Sequence, residues 1–444
     1  MASGGERSIK ARKNISISLF AKVIGMIIMY LMVPISISYL GVENYGVWIV
    51  LSGIIAWAGM FDFGLSHGLR NHLAIAITKN QIEHGKSYIS TTYFFLFLVS
   101  FLIIIAGSLF IYTAEIQIIL NTDTVSENVL KIVAMIVLLL FSVNFFLKPI
   151  NSILQAHQMP SYTQIIGVGG SMLAIIAIYV IITFTNITSF YWYALLVSGA
   201  PVVGLLVASI ILFSKKFEKL IPSFSEIKRS SLKKIGGLGT KFFIIQLCLL
   251  VVYTSDNFII SYLFGPEEVT AYTIPHKYFS ALTILFTVIM SPYWSAITEA
   301  YTKNEFDWIK KTVRNLSKII LGGLVIAIIM VIFSDSIFKI WIGKKVVVPA
   351  TLTALMGVYS VLMGIQTLFS YFSNGIGKIR VQTIAYISCA IINLPLSYYF
   401  GKTLGMGSTG VLLATVFCLL IISITLFIQY FKITNKTAKG VWLK

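Results

Sequence analysis

Long apolar runs, separated by short polar breaks, follow one another along the whole chain. Taking about 20 apolar residues per bilayer crossing, spans fall at about 15 to 40, 47 to 68, 88 to 112, 129 to 149, 161 to 185 and 191 to 213. After the basic segment KKFEKLIPSFSEIKRSSLKK they resume at about 238 to 264, 271 to 298, 315 to 338, 350 to 373, 382 to 400 and 408 to 431. The runs are apolar all round rather than along one stripe, which suits a helix with lipid on every side. The pattern predicts an all-α integral membrane protein of about twelve transmembrane helices. A first lobe covers 1-213 with helices 1-6, a basic cytoplasmic linker covers 214-237, and a second lobe covers 238-444 with helices 7-12. Between Pro149 and Ser214 there is no Asp, Glu, Lys or Arg, so the division there rests on the polar breaks QAHQMPSYTQ and TNITS. Pro34, Pro275, Pro292 and Pro395 fall inside spans and are expected to interrupt or bend them.

Composition agrees with a bilayer as the solvent: 57% of residues are hydrophobic, 11% are charged and the mean hydropathy is +0.89. The net charge of +18 would suggest nucleic acid in a soluble protein. Its placement says otherwise. Of the 34 Lys and Arg residues, Lys131, Lys339, Lys344, Lys345 and Lys402 fall on one side, Lys22, Lys241 and Lys277 lie within spans, and all the rest lie on the other side. That bias is the positive-inside rule, and it puts both termini of a multi-pass protein in the cytoplasm with no nucleic-acid partner. The first apolar run is too long for a signal-peptide core and reads as an uncleaved span. Cys248, Cys389 and Cys418 lie inside spans without metal-ligand spacing and read as packing residues. Trp48, Trp192 and Tyr193 read as interfacial anchors.

The two halves resemble one another. ISISYLGVENYGVW in the first helix pair parallels FIISYLFGPEEVTAY in the seventh and eighth, and ILQAHQMPSYTQ before span five parallels YFSNGIGKIRVQ before span eleven. Repeats of six spans run parallel, so the lobes are expected to be related by a pseudo-two-fold axis along the membrane normal.

An ionisable group deep in a span is costly unless it meets water or a partner, so each is a candidate for function. Those well inside are Lys22, Asp62, Lys241, Asp256 and Lys277, with Arg70 near a span end. At 1.5 Å per residue, Lys22 and Asp62 share one depth near the cytoplasmic boundary, and Asp256 and Lys277 share another near the outer one. Two neutralised pairs, Lys22 with Asp62 and Asp256 with Lys277, are therefore expected as one reading. In the other, Asp62 and Asp256 relay a proton or sodium ion, and Lys22, Arg70, Lys241 and Lys277 line a cationic cavity for an anionic substrate. Lys241 has no obvious acidic partner. Arg70 offers the fork geometry that suits phosphate oxygens.

No Walker motif, nucleophile constellation or intramembrane His cluster is present, His157 and His276 standing apart, and the longest outer loop runs only from about Thr113 to Asn128. A membrane glycosyltransferase or polymerase would be expected to carry such groups on a larger loop. Intramembrane charge also counts against a passive scaffold. The segments SYLGVENYGVW, DFGLSHGLRN and MSPYWSAITEAY resemble those of the O-antigen flippases of the Wzx type. These form the polysaccharide exporter branch of the multidrug/oligosaccharidyl-lipid/polysaccharide superfamily, and the resemblance runs over the whole chain. It implies a MATE-like fold of two six-helix lobes in a bacterial inner membrane. The implied activity is translocation of an undecaprenyl-pyrophosphate-linked oligosaccharide from the cytoplasmic to the periplasmic leaflet by alternating access, without catalysis and driven by an ion gradient. Membrane lipids, an O-antigen polymerase and a chain-length regulator are the implied partners. On these residues it places Asp62 and Arg70 in the functional DFGLSHGLRN segment, and Lys22 and Lys241 in a cationic cavity. The alternatives are a flippase for another lipid-linked glycan precursor and a multidrug or cation antiporter of the same superfamily.

Overall fold

The computed structural model describes residues 4–57, 59, 62, 64–157, 159–185, 189–236 and 239–443, with the side chains of 4–16, 18, 19, 67, 160, 185, 236, 239–246 and 295 excepted. Every long apolar run is a helix, because in lipid each backbone N–H and C=O must be satisfied within its own segment. In chain order these are α1 Gly4–Leu40, α2 Val42–Trp57, α3 Leu65–Thr78, α4 Ile82–Thr113, α5 Ile116–Leu120, α6 Glu127–Leu147, α7 Pro149–Ala156, α8 Pro160–Thr185, α9 Phe190–Lys215 and α10 Arg229–Gly236. They continue as α11 Gly239–Thr254, α12 Asp256–Phe264, α13 Pro266–Thr302, α14 Phe306–Ile342, α15 Ala350–Gly375, α16 Arg380–Tyr398 and α17 Gly407–Thr434. Among the described residues ten helices are long and apolar enough to cross a membrane, and α11 with α12 adds an eleventh span bent by 43°. The short apolar helix α2 takes the place of the second crossing. The uncharged stretch from 149 to 214 divides where its polar breaks lie, into α7, α8 and α9.

Three expectations need correction. The second span is not one helix over 47 to 68: α2 stops at Trp57 and α3 begins at Leu65. The prolines do not break their helices, since Pro34, Pro275, Pro292 and Pro395 all lie inside continuous ones. The bend in the seventh span falls instead at Ser255, where no proline stands. Trp48 and Tyr193, expected at the interface, are 8% and 1% exposed and meet edge to face at 5.0 Å, while Trp192 is exposed as expected. The Tyr193 hydroxyl donates to Ser36 Oγ at 2.6 Å, so this polar handle is satisfied within the protein.

The chain forms two compact units, Met1–Phe243 and Ile244–Lys444. In the first, α3 is amphipathic: Leu65, Leu69 and Leu73, one turn apart, are buried against Ile89 and Leu96 of α4 and Ile150 and Ile153 of α7. The basic segment expected as an inter-lobe linker is packed on this unit over its described residues, 214–236, as a strap. Three hydroxyls within about one turn of α4 hold it. Ser87 Oγ donates to the Glu226 carbonyl at 2.9 Å, Ser90 Oγ accepts from Ser223 N at 3.0 Å and Thr91 Oγ1 accepts from Lys228 N at 3.1 Å. Phe217 and Ile235 anchor its two ends in the core.

In the second unit α13 packs between α14 and α15 through glycine. A Cβ on Gly323 of α14 would lie 2.3 Å from the Phe286 ring, and one on Gly364 of α15 would lie 2.6 Å from it. The ring occupies the space those two side chains vacate, as small residues allow at closely packed membrane helices. The repeated motifs also have a common local geometry. α1 and α12 each end at a glycine with positive φ, Gly41 at +82° and Gly265 at +92°. Each glycine is followed by a helix with an acid in its first turn. Glu43 accepts from Thr122 Oγ1 at 2.6 Å in the first unit, and Glu268 accepts from Ser408 Oγ at 2.8 Å in the second.

Candidate functional site

The intramembrane acids sit in contrasting places. Asp62 lies in the gap between α2 and α3, and its Oδ1 accepts from Gly64 N at 2.9 Å while its carbonyl accepts from Leu65 N at 2.9 Å. Gly64 adopts φ +75°, the left-handed conformation glycine tolerates, so Asp62 and Gly64 together turn the chain into α3. Asp62→Ala is expected to lower stability by about 1 kcal/mol, as for a lost helix-start acceptor. A small drop in melting temperature in detergent would bear this out.

Asp256 is different. It opens α12 immediately after the bend, is 3% exposed, and reaches into a polar cluster contributed by α13, α16 and α17. Tyr272 of α13 donates its hydroxyl to Asp256 Oδ2 at 2.7 Å, and Thr415 Oγ1 of α17 lies 3.0 Å from both carboxylate oxygens. Asn393 of α16, fully buried, donates Nδ2 to Thr415 Oγ1 at 3.2 Å, while its Oδ1 is buried without a hydrogen-bond partner. His276, one turn along α13 from Tyr272, stacks on that ring at 6.2 Å and tilts against Tyr359 of α15 at 6.0 Å. The Asp256 site therefore combines one carboxylate, two hydroxyls that orient it and a spare amide oxygen. Such an all-oxygen set suits a hard monovalent cation or a proton. No group of three or more His, Cys, Asp or Glu able to hold a metal occurs among the described residues. Cys248, Cys389 and Cys418 are buried and free, and the last two each donate weakly to the other's carbonyl across α16 and α17.

The structure does not form the expected charge pairs. Ion pairs among the described residues join Lys131 to Glu127, Lys228 to Glu226, Lys303 to Glu299 and Lys339 to Asp335. Neither Lys22 with Asp62 nor Asp256 with Lys277 is among them. Asp62 is committed to the turn and Asp256 to Tyr272 and Thr415, and an uncharged donor satisfies a buried carboxylate without desolvating a second ion. Lys22 and Arg70 are exposed on the first unit, and Lys277 is half-buried on α13 of the second. The Lys241 side chain lies outside the described residues. Tyr272, Thr415 and Asn393 were not identified from the sequence. Only the i, i+4 spacing of Tyr272 and His276 could have hinted at a shared face, since Thr415 stands 159 residues from Asp256.

The helical scaffold matches solved membrane transporters. A multidrug resistance MATE family transporter of the multidrug/oligosaccharidyl-lipid/polysaccharide superfamily, in an inward-facing conformation, aligns with a TM-score of 0.79 at 18% identity, over 96% of this chain and 98% of that one. The fold is thus the MATE-like, all-α membrane fold. The family model described as polysaccharide biosynthesis protein matches residues 11–298, and the MatE model matches 242–399. The chain belongs to the polysaccharide biosynthesis protein family. A provisionally named O-antigen transporter of Salmonella typhimurium is 23% identical over 86% of each chain. A provisionally named O-antigen export protein of Yersinia pseudotuberculosis is 21% identical over 87% of this chain and 88% of its own.

Proposed function

We propose that the chain is a polysaccharide exporter that moves an undecaprenyl-pyrophosphate-linked O-antigen repeat unit from the cytoplasmic to the periplasmic leaflet of a bacterial inner membrane. It works by alternating access, without catalysis, and delivers its cargo to a polymerase and chain-length regulator on the outer side. Support comes from the family, from relatives named for O-antigen transport, and from the fold. The observation that carries the mechanism is the buried Asp256 site. A carboxylate with oriented hydroxyls and a spare oxygen, placed at a helix break, can take up a proton or a sodium ion from one side and release it to the other. Cation uptake there biases one conformation by the difference in affinity between the two states, which is how an ion gradient drives a carrier. The prenyl tail can stay in lipid while the charged pyrophosphate and sugars cross about 30 Å of hydrocarbon inside the protein.

A leaflet assay tests this reading. In cells lacking the gene, undecaprenyl-linked glycan is expected to accumulate on the cytoplasmic side and to be displayed outside again when the native chain is restored. Normal outward display without the gene would overturn it in favour of drug export.

A further inference from the structure

The strap, residues 214–236, encloses a crevice against α4 that is separate from the Asp256 site. It is a cavity of about 640 Å³ between the strap, α4, α6 and α9, lying wholly in the first unit. Its wall is aromatic. Tyr93 meets Phe146 edge to face at 5.6 Å and Phe213 at 6.2 Å, Phe97 meets Phe146 at 6.1 Å, and Phe94 meets Phe224 of the strap at 6.4 Å. Phe97 and Phe224 are 52% and 85% exposed, so the crevice opens outward rather than into the core.

Two polar atoms interrupt this apolar lining. Tyr93 and Ser209 are 7% and 8% exposed, both line the cavity, and the Tyr93 hydroxyl and Ser209 Oγ are both buried without a hydrogen-bond partner. Hydroxyls left unsatisfied at membrane depth are costly, so a ligand that brings acceptors to them is favoured. Ser209 lies six residues inside the end of α9, about 9 Å from Lys215, which places these donors just below the membrane boundary. The strap end of the crevice is basic. Ile227 lines it and is followed by two exposed cations, Lys228 and Arg229, whereas Lys215 and Lys216 at the end of α9 line a neighbouring cavity. Glu226 is half-buried and paired with Lys228 at 3.6 Å, so the balance at the mouth is positive.

We infer that this crevice holds an anionic glycerophospholipid of the basic-side leaflet: phosphate at the strap cations, an ester carbonyl at Tyr93 and Ser209, and an acyl chain along the rings. The spacing follows the lipid itself, with charge at the surface, ester acceptors below it and hydrocarbon deepest. A prenyl pyrophosphate offers the first and last of these but no ester acceptor for the two hydroxyls. A lipid so placed fills the gap between strap and α4 and fixes the strap to the bundle.

Native mass spectrometry of the full chain, extracted in mild detergent and given equal phosphatidylglycerol and phosphatidylcholine of the same chain length, tests the inference. Phosphatidylglycerol should be retained in preference. Arg229→Gln, at an exposed position that does not endanger the fold, should reduce that preference about fivefold. Tyr93→Phe with Ser209→Ala should weaken retention of both ester lipids while the melting temperature without added lipid is kept. Equal retention of the two lipids, unchanged retention by the variants, or displacement of phosphatidylglycerol by equimolar prenyl phosphate would each overturn it.

Discussion

Asp256→Asn is expected to abolish ion-driven transport, by at least about tenfold and so more than about 1.4 kcal/mol of coupling free energy, while leaving the protein folded. The separation of the two effects follows from the geometry. An asparagine side chain has nearly the shape of aspartate, and its Oδ1 can still accept from the Tyr272 hydroxyl or from Thr415, the donors that hold the carboxylate now. If Asp256 only tied α12 to α13 and α17, the amide would serve nearly as well and transport would survive. If it takes up a cation, losing the charge removes the differential affinity through which a gradient does work, and no neutral substitute restores it. Asp256→Leu is the complementary variant. It strands the Tyr272 and Thr415 hydroxyls in an apolar interior and should cost about 1–3 kcal/mol of stability for each donor left unsatisfied. Ion-dependent glycan display in complemented cells, measured beside the melting temperature of each variant, distinguishes the roles. Transport by Asp256→Asn at the native rate, still responsive to the gradient, would refute coupling at this site.

The spans were legible where a run of about 20 apolar residues is one helix, as for α4, α8, α9, α14, α15 and α17. Legibility failed at the second crossing, because WAGMFDFG is as apolar as the helices beside it and its break is a matter of Asp62 and a left-handed Gly64. Prolines misled for the opposite reason: in a membrane helix neighbouring groups satisfy the carbonyl that a proline frees, so Pro34 and Pro275 need not end anything. Charge alone singled out Asp256 as a candidate. Its partners were hidden, since Tyr272, Asn393 and Thr415 are unremarkable polar residues on three different helices, and only the fold brings them together. Expected ion pairing failed because depth along a helix fixes height and not azimuth. Lys277 can share a level with Asp256 while tyrosine and threonine hold the carboxylate.

Gly68 provides the second large effect, and it concerns the DFGLSHGLRN segment in which Asp62 and Arg70 were expected to act. A Cβ there would lie 2.2 Å from the Ile235 carbonyl oxygen, 2.7 Å from its Cγ2 and 2.9 Å from its carbonyl carbon. The obstacle is backbone, in the last turn of α10, so no rotamer change relieves it. In a helix interior with room, Gly→Ala is stabilising by about 1 kcal/mol. Here the sign reverses, because α10 must move away and Ile235, now fully buried, must leave the core with it. Withdrawing that side chain costs about 2–4 kcal/mol, on the scale of large-to-small core replacements, and the contact from His72 Nε2 to the Lys234 carbonyl at 3.1 Å would go too. Since proteolysis of an opened segment tracks its opening free energy, trypsin should cut the Gly68→Ala chain at Arg229, Lys233 or Lys234 at least about thirtyfold faster than the native chain. Gly322→Ala, whose Cβ would meet nothing within 4 Å, serves as the control and should cut at the native rate. Native-rate cleavage of Gly68→Ala would mean that the strap is not seated against α3. Rapid cleavage with transport intact would assign the glycines of this segment to holding the strap rather than to handling the substrate.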